Sequence, residues 1–135
     1  MKNKLNIELK GYIKVYRNGK LIHEQPNSIQ SGAYNVLRRT LVGDSGYLDR
    51  ILVYKNNSAL ATASITQKTY SSTNKITVAA IFDENSFNDT FDEIYIKGSI
   101  AGSFSKVSGL SITKDNLSQI SIEWSLEFLI TGVTP

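Results

Sequence analysis

The 135-residue chain has 41% hydrophobic and 20% charged residues, which is an ordinary composition for a globular protein. It contains no cysteine, which excludes disulfides, thiolate nucleophiles and cysteine-bound metals. No apolar run approaches the roughly 20 residues that cross a bilayer, and the first ten residues lack the continuous apolar stretch of a secretory signal. We therefore expect one domain, residues 1–135, without membrane association or export by that route.

The net charge of +3 is unevenly distributed. Residues 1–55 carry ten Lys or Arg against four Asp or Glu, and residues 56–135 carry five against eight. Folding could mix both halves on one surface, or the basic half of one copy could attract the acidic half of the next. A basic patch for nucleic acid is not favoured, because the early lysines share the solvent side of a predicted strand without an aromatic ladder for base stacking. They are Lys2, Lys4, Lys10 and Lys14.

The first predicted element is a long strand over residues 5–15, in which apolar odd positions alternate with polar even positions. Asn18-Gly19 favours a two-residue turn with positive φ at both residues, so residues 21–24 are predicted to return as the partner strand. Residues 1–24 are thus a predicted β-hairpin. Such a hairpin is also a candidate arm, which would add strands to a neighbouring subunit.

One helix is predicted, over residues 28–42. The segment 25–28 interrupts the strand pattern, Asn27 or Ser28 can cap the helix, and Gly43 ends it. Arg38 and Arg39 lie in its last turns, where positive charge complements the helix dipole. That structural role is the preferred interpretation, and both arginines are kept as candidates for an interface.

The rest of the chain alternates short strand patterns with turn-forming residues. The last strand has the clearest stripe, with Trp124 at its centre, and is predicted to lie in the middle of the core. Together the elements predict a mainly β fold, a β-sandwich or flattened barrel of about seven to nine strands with one inserted helix. The further predicted strands cover residues 51–54, 64–70, 75–82, 91–97, 104–107, 110–113 and 120–130.

The residues needed for catalysis are sparse. His23 is the one histidine, and it lies in a predicted strand outside any nucleophile motif, so a partly exposed strand histidine is the preferred interpretation. Neighbouring carboxylates on a strand point to opposite faces and cannot act as a facing pair. Phosphate-binding loops are also missing from the sequence. We expect neither an enzyme nor a cofactor.

The most acidic segment, residues 83–93, is a candidate for a weak and irregular calcium site. Hard cations accept clustered oxygen ligands, which Asp83, Asp89 and Asp92 can provide. The spacing does not fit a regular calcium loop, because Phe87 and Ile94 occupy ligand positions. A solvated loop between strands is the preferred interpretation.

Tyrosines are the remaining candidates for binding. Tyr12, Lys14 and Tyr16 share the polar face of the first strand. Tyrosine is common in protein interfaces and also stacks on sugars, and we favour the interface. The other candidates for sugar binding are Tyr47, Tyr54, Tyr70 and Tyr95.

The order of several short motifs resembles a class of small virion proteins of tailed bacteriophages. The matching segments are Asn27-Ser28-Ile29-Gln30-Ser31-Gly32, a Leu-Val-Gly helix end, residues 47–54, Phe91-Asp92-Glu93-Ile94-Tyr95-Ile96, Phe104-Ser105-Lys106-Val107, Ile112-Thr113-Lys114 and the strand around Trp124. They cover most of residues 25–130, and their order carries the resemblance.

The resemblance implies a structural protein of the virion, present in many copies around a tail, collar, fibre or capsid surface. Its partners would then be copies of itself and other virion proteins. A module that binds a carbohydrate or receptor on a phage fibre or baseplate is the alternative function.

Overall fold

The computed structural model describes residues 5–44, 47–98 and 102–132. Lys2 and Lys4 lie outside these ranges. The elements are β1 (Asn6–Arg17), β2 (Lys20–Ile29), α1 (Gly32–Leu41), β3 (Arg50–Lys55), β4 (Ser58–Ser72), β5 (Lys75–Phe82), β6 (Asp89–Phe91), β7 (Glu93–Gly98), β8 (Gly102–Val107), β9 (Ile112–Lys114) and β10 (Ile120–Thr131).

Eight strands form a closed barrel in the order β1-β10-β5-β4-β3-β7-β8-β2. All of its neighbouring strands are antiparallel. The early part of β4 pairs with β3 and its later part with β5, so this strand passes from one side of the barrel to the other. The prediction of a mainly β fold with one inserted helix is confirmed.

The tight turns follow from their asparagines and glycines. Asn18 and Gly19 have φ values of 49° and 82°, as the predicted turn between β1 and β2 requires. Asn56 and Asn57 adopt similar positive φ values between β3 and β4. Because β1 pairs with β10 over its whole length and with β2 from Gly11 onward, the hairpin is part of the barrel wall. That it also reaches a neighbouring subunit stays a prediction.

The predicted start of the helix at residue 28 was wrong. β2 continues through Pro26 to Ile29, and its end closes the barrel against β8. Asn27 does not cap a helix, because its side-chain amide donates to the Ser105 hydroxyl, which in turn donates to the Ser28 carbonyl at 2.9 Å. These long-range bonds hold Asn27 and Ser28 in strand β2, although the local sequence there resembles the start of a helix.

The helix begins at Gly32, four residues later than predicted, and ends at Leu41, shortly before Gly43 as predicted. A Cβ on Gly32 would lie 2.0 Å from the Ser103 carbonyl oxygen, so only glycine fits this approach to β8. At the other end, Asp44 N–H donates to the Arg39 carbonyl and Gly43 N–H donates to the Thr40 carbonyl. With Gly43 at φ 73°, these bonds form a Schellman motif.

The barrel interior is filled by apolar side chains, and the final strand lies at its centre as predicted. Trp124 is fully buried and meets the ring of Phe104 edge to face, with centroids 5.5 Å apart. The other fully buried large apolar residues include Ile13, Ile51, Phe82, Phe91, Ile94, Ile96, Ile120 and Ile122.

The two ends of the barrel differ. At the closed end, where β10 begins and β5 finishes, the small sheet of β6 and β9 and the 83–87 loop cover the core. At the open end, where β1 begins and β10 finishes, the strands extend past the core.

Candidate interaction surface at the open end

The inner apolar stripes of β1 and β10 continue beyond the point where the core ends. Ile13 and Trp124 are fully buried opposite one another, and Leu9 and Phe128 are half-buried. The next inward pair, Ile7 and Ile130, is 61% and 48% exposed. The period-two pattern that specifies a buried face therefore extends over residues that the described parts of this chain do not cover.

Beside this stripe lies an apolar groove of about 510 Å³, within the size range of ligand and docking pockets. It is formed by α1, the β4–β5 hairpin, β8, β10 and the segment after the helix. Lys68 is the one charged side chain among its lining residues. The apolar lining includes Val36, Leu37, Leu48, Ile76, Val78, Phe104, Leu126 and Phe128. We call this feature the groove.

Two tyrosines stand at the mouth of the groove. Tyr70 is 89% exposed on the inner side of β4, opposite Ile76. Tyr47 is also exposed, and Lys68 Nζ lies 4.9 Å from the centre of its ring. This arrangement offers aromatic surface and one positive charge to whatever occupies the groove.

The predicted interface residues fall on two other surfaces. Tyr12, Lys14 and Tyr16 lie on the outer face of β1, partly buried. The Tyr12 hydroxyl donates to Glu24 Oε1 at 2.6 Å, and this bond to a carboxylate raises the pKa of Tyr12 above 10.0. The Tyr12 hydroxyl therefore already has a partner on the neighbouring strand β2.

The two predicted interface arginines lie in the last turns of α1. Arg38 donates to the Asn35 side-chain oxygen at 3.2 Å, and Arg39 pairs with Asp44 at 2.9 Å. Both positions suit the negative end of the helix dipole. The adjoining residues Leu41 and Val42 are strongly exposed, so the helix end adds apolar surface near the open end.

A second aromatic cluster covers the outer face of β3, β7 and β8. The ring centres of Tyr54 and Tyr95 are 4.6 Å apart, and Lys97 Nζ lies within 5.6 Å of both centres. Lys106 lies over Tyr95 and pairs with Glu93 at 3.0 Å, and this hydrogen bond raises the pKa of Lys106. The lysines thus cover part of the aromatic faces that a sugar would use.

The three weak calcium candidates each bind a different partner. Asp83 accepts from Asn85 N–H, Asp89 pairs with Lys55 at 2.8 Å, and Asp92 accepts from Asn56 N–H. Within the described ranges, no group of three or more His, Cys, Asp or Glu side chains could hold a metal ion.

His23 lies in β2, partly buried, opposite Val15. Its Nε2 is 2.8 Å from Gln25 Oε1, a side-chain amide oxygen that cannot act as a nucleophile. The hydrogen bond thus joins two residues of the same strand face and does not assemble a catalytic pair.

The groove was missed by sequence reasoning because its residues come from five separated segments. The sequence did contain a signal for the neighbouring stripe, since the apolar alternation of β1 and β10 runs on to Ile7 and Ile130, past the residues that the barrel buries. The helix α1 is too short to cross a membrane, and the described parts of the chain contain no helix that could do so.

Comparisons with known proteins give no relative for this arrangement. No protein family matches the chain, and no curated protein or solved structure is significantly similar to it.

Proposed function

We propose that this protein is a non-enzymatic structural component of a bacteriophage virion, which packs on copies of itself and on neighbouring virion proteins. The observation that carries the assembly role is the uncovered apolar stripe at the open end, continued by the groove. Contiguous exposed apolar surface of this kind is typical of protein interaction sites. The phage particle is proposed on the resemblance of the ordered motifs.

The geometry of the open end supports packing against another protein surface. Ile7 and Ile130 face the same side as the core residues, so a partner seated there would extend the core outward. Burial of these side chains would stabilise the complex by roughly 25 cal/mol per Å² of apolar area. The groove beside them adds a concave surface, which would select a partner of matching shape.

Two neighbouring residues of β10 provide a matched test. Ile130 and Leu129 are similarly exposed, at 48% and 44%, but they point to opposite faces of the strand. We expect the wild-type chain to associate with increasing concentration, Ile130→Ser to lose association, and Leu129→Ser to retain it. Size-exclusion chromatography with light scattering measures all three.

Circular dichroism of each variant checks that the fold is intact. Equal association of the two variants, or a wild-type chain that stays monomeric at every concentration, would contradict assembly through the open end. The phage assignment has its own test, since the encoding gene should lie among portal, terminase or tail genes. A neighbourhood of metabolic genes would contradict it.

A receptor-binding module is the second candidate, favoured by the exposed rings of Tyr47 and Tyr70 at the groove mouth. A glycan that stacks on them would raise the melting temperature, by an amount that grows with the logarithm of the glycan concentration divided by its Kd. The rise should disappear in Tyr70→Ser. A glycan panel without any shift would remove this candidate.

A further inference from the structure

The closed end of the barrel carries a fixed apolar projection. Leu117 is 86% exposed at the turn formed by residues 115–118, which we call the tip. Its N–H donates to Asp115 Oδ1 at 2.9 Å, and Asp115 N–H donates to the Ser118 hydroxyl at 3.2 Å. Because these bonds order the turn in the free protein, little conformational entropy remains to be lost when Leu117 is buried.

The tip is also anchored to the barrel on both sides. On one side, fully buried Lys114 donates to the carbonyls of Glu84, Phe87 and Asp115 at 2.8–3.0 Å. On the other side, Gln119 N–H donates to the side chain of Asn18 in the β1–β2 turn. The tip therefore keeps a constant position relative to the strands.

The tip and the groove lie at opposite ends of the same strands. Gln119 separates the tip from Ile120, the first residue of β10, and Phe128 of the groove lies eight residues after Ile120 along that strand. At about 3.4 Å per residue, Ile120 and Phe128 are about 27 Å apart, and the tip lies beyond Ile120. A molecule cannot place its own tip in its own groove, but a second copy can.

The two surfaces are complementary in polarity and, on one side, in charge. An exposed leucine matches the apolar lining, and Lys68 is the one charged residue of the groove. The 83–87 loop, bound to the tip through Lys114, presents the exposed carboxylates of Asp83 and Glu84. Lys20, which follows the β1–β2 turn, lies on the other side of the tip. When the tip enters a groove, its acidic side is therefore the one that faces Lys68.

We propose that the tip of one copy inserts into the groove of the next, so that copies stack head to tail. This inference rests on the proposed assembly function and names its partner as a second copy of the chain. Since the two surfaces differ, the contact is heterologous, and successive copies form either a closed ring or a filament. Lys68 of one copy then faces the acidic loop of its neighbour.

The experiment uses two variants that each remove one side of the contact. Leu117→Ser removes the projection, and the double variant Lys68→Glu/Tyr70→Ser alters the groove at exposed positions that do not threaten folding. Ile81→Ser, on the outer face of β5, is the control for loss of an exposed apolar residue. Association is measured by sedimentation velocity across a range of concentrations.

We expect each of the first two variants alone to associate at least about tenfold more weakly than the wild type, and Ile81→Ser to associate normally. Mixed in equal amounts, the two variants should form a heterodimer that does not grow, because one intact tip then meets one intact groove. Retained association of Leu117→Ser, or no heterodimer in the mixture, would overturn head-to-tail stacking. If head-to-tail stacking failed in this way but Ile130→Ser still abolished association, the proposed assembly through the open end would stand.

Discussion

Lys114 shows how one residue can organise an end of the barrel. Its ammonium group is fully buried and bound by three backbone carbonyls, with the ring of Phe87 5.2 Å away. A buried charge is tolerated only when such partners replace water. The lysine thereby joins the 83–87 loop to the tip, two segments that share no ladder of hydrogen bonds.

Replacing Lys114 with methionine keeps most of the side-chain volume but leaves the carbonyls of Glu84 and Phe87 without their donor, while the Asp115 carbonyl keeps the Ser118 N–H at 3.4 Å. We expect the free energy of unfolding to fall by about 2–4 kcal/mol, because each orphaned buried group costs roughly 1–3 kcal/mol before local relaxation. Urea denaturation measures the loss. The control Lys20→Met, at an exposed turn, should change stability by less than about 0.5 kcal/mol. Equal values for both variants would show that the carbonyl contacts do not stabilise the fold.

At the scale of elements, the contact between β1 and β2 depends on a glycine. A Cβ on Gly11 would lie 2.0 Å from Asn27 Oδ1, since the Asn27 side chain turns inward above β1 to reach Ser105. The bond between Asn27 and Ser105 is also the one that keeps residues 27–29 in β2, so that the helix starts only at Gly32. A single position thus links the β1–β2 pairing to the closure of the barrel on β8.

Gly11→Ala should therefore destabilise the protein by about 1–3 kcal/mol, the usual cost of overpacking. Asn27→Ala removes the obstructing side chain together with its bond to Ser105. In that background, the additional Gly11→Ala change should cost little. Thermal unfolding of the four chains in this double-mutant cycle measures the coupling. Additive losses would indicate that the two residues do not obstruct one another.

At the scale of the whole molecule, two surface carboxylates link stability to acid pH. The hydrogen bond from Lys55 lowers the pKa of Asp89 below 3.8, and the bonds from Ser118 and from Leu117 N–H lower the pKa of Asp115 below the same value. Between the lowered values and 3.8, the unfolded chain binds more protons than the folded chain. Stability therefore rises with pH in that window.

Their contribution is complete above pH 3.8 and is lost as the pH falls through the folded values. We expect the melting temperature of the wild type to drop between about pH 4 and about pH 2, and the drop to be smaller in Asp89→Asn/Asp115→Asn. Scanning calorimetry in this range compares the two chains. Parallel curves for both would mean that other groups govern the acid response.

The sequence alone determined the approximate positions of most strands, the tight turns, the helix end and the central place of Trp124, because these depend on local patterns and on residues that accept positive φ. It did not predict the break at Asp92, which divides the predicted strand 91–97 between β6 and β7. Tertiary structure decided where the helix begins, since Asn27 bonds to Ser105, a residue 78 positions away. It also decided what surrounds Lys114, and which apolar residues are left uncovered. The groove, and the anchoring of the tip to Glu84, Phe87 and Asn18, exist only because strand order brings distant segments together at each end of the barrel, and no local pattern specifies that meeting.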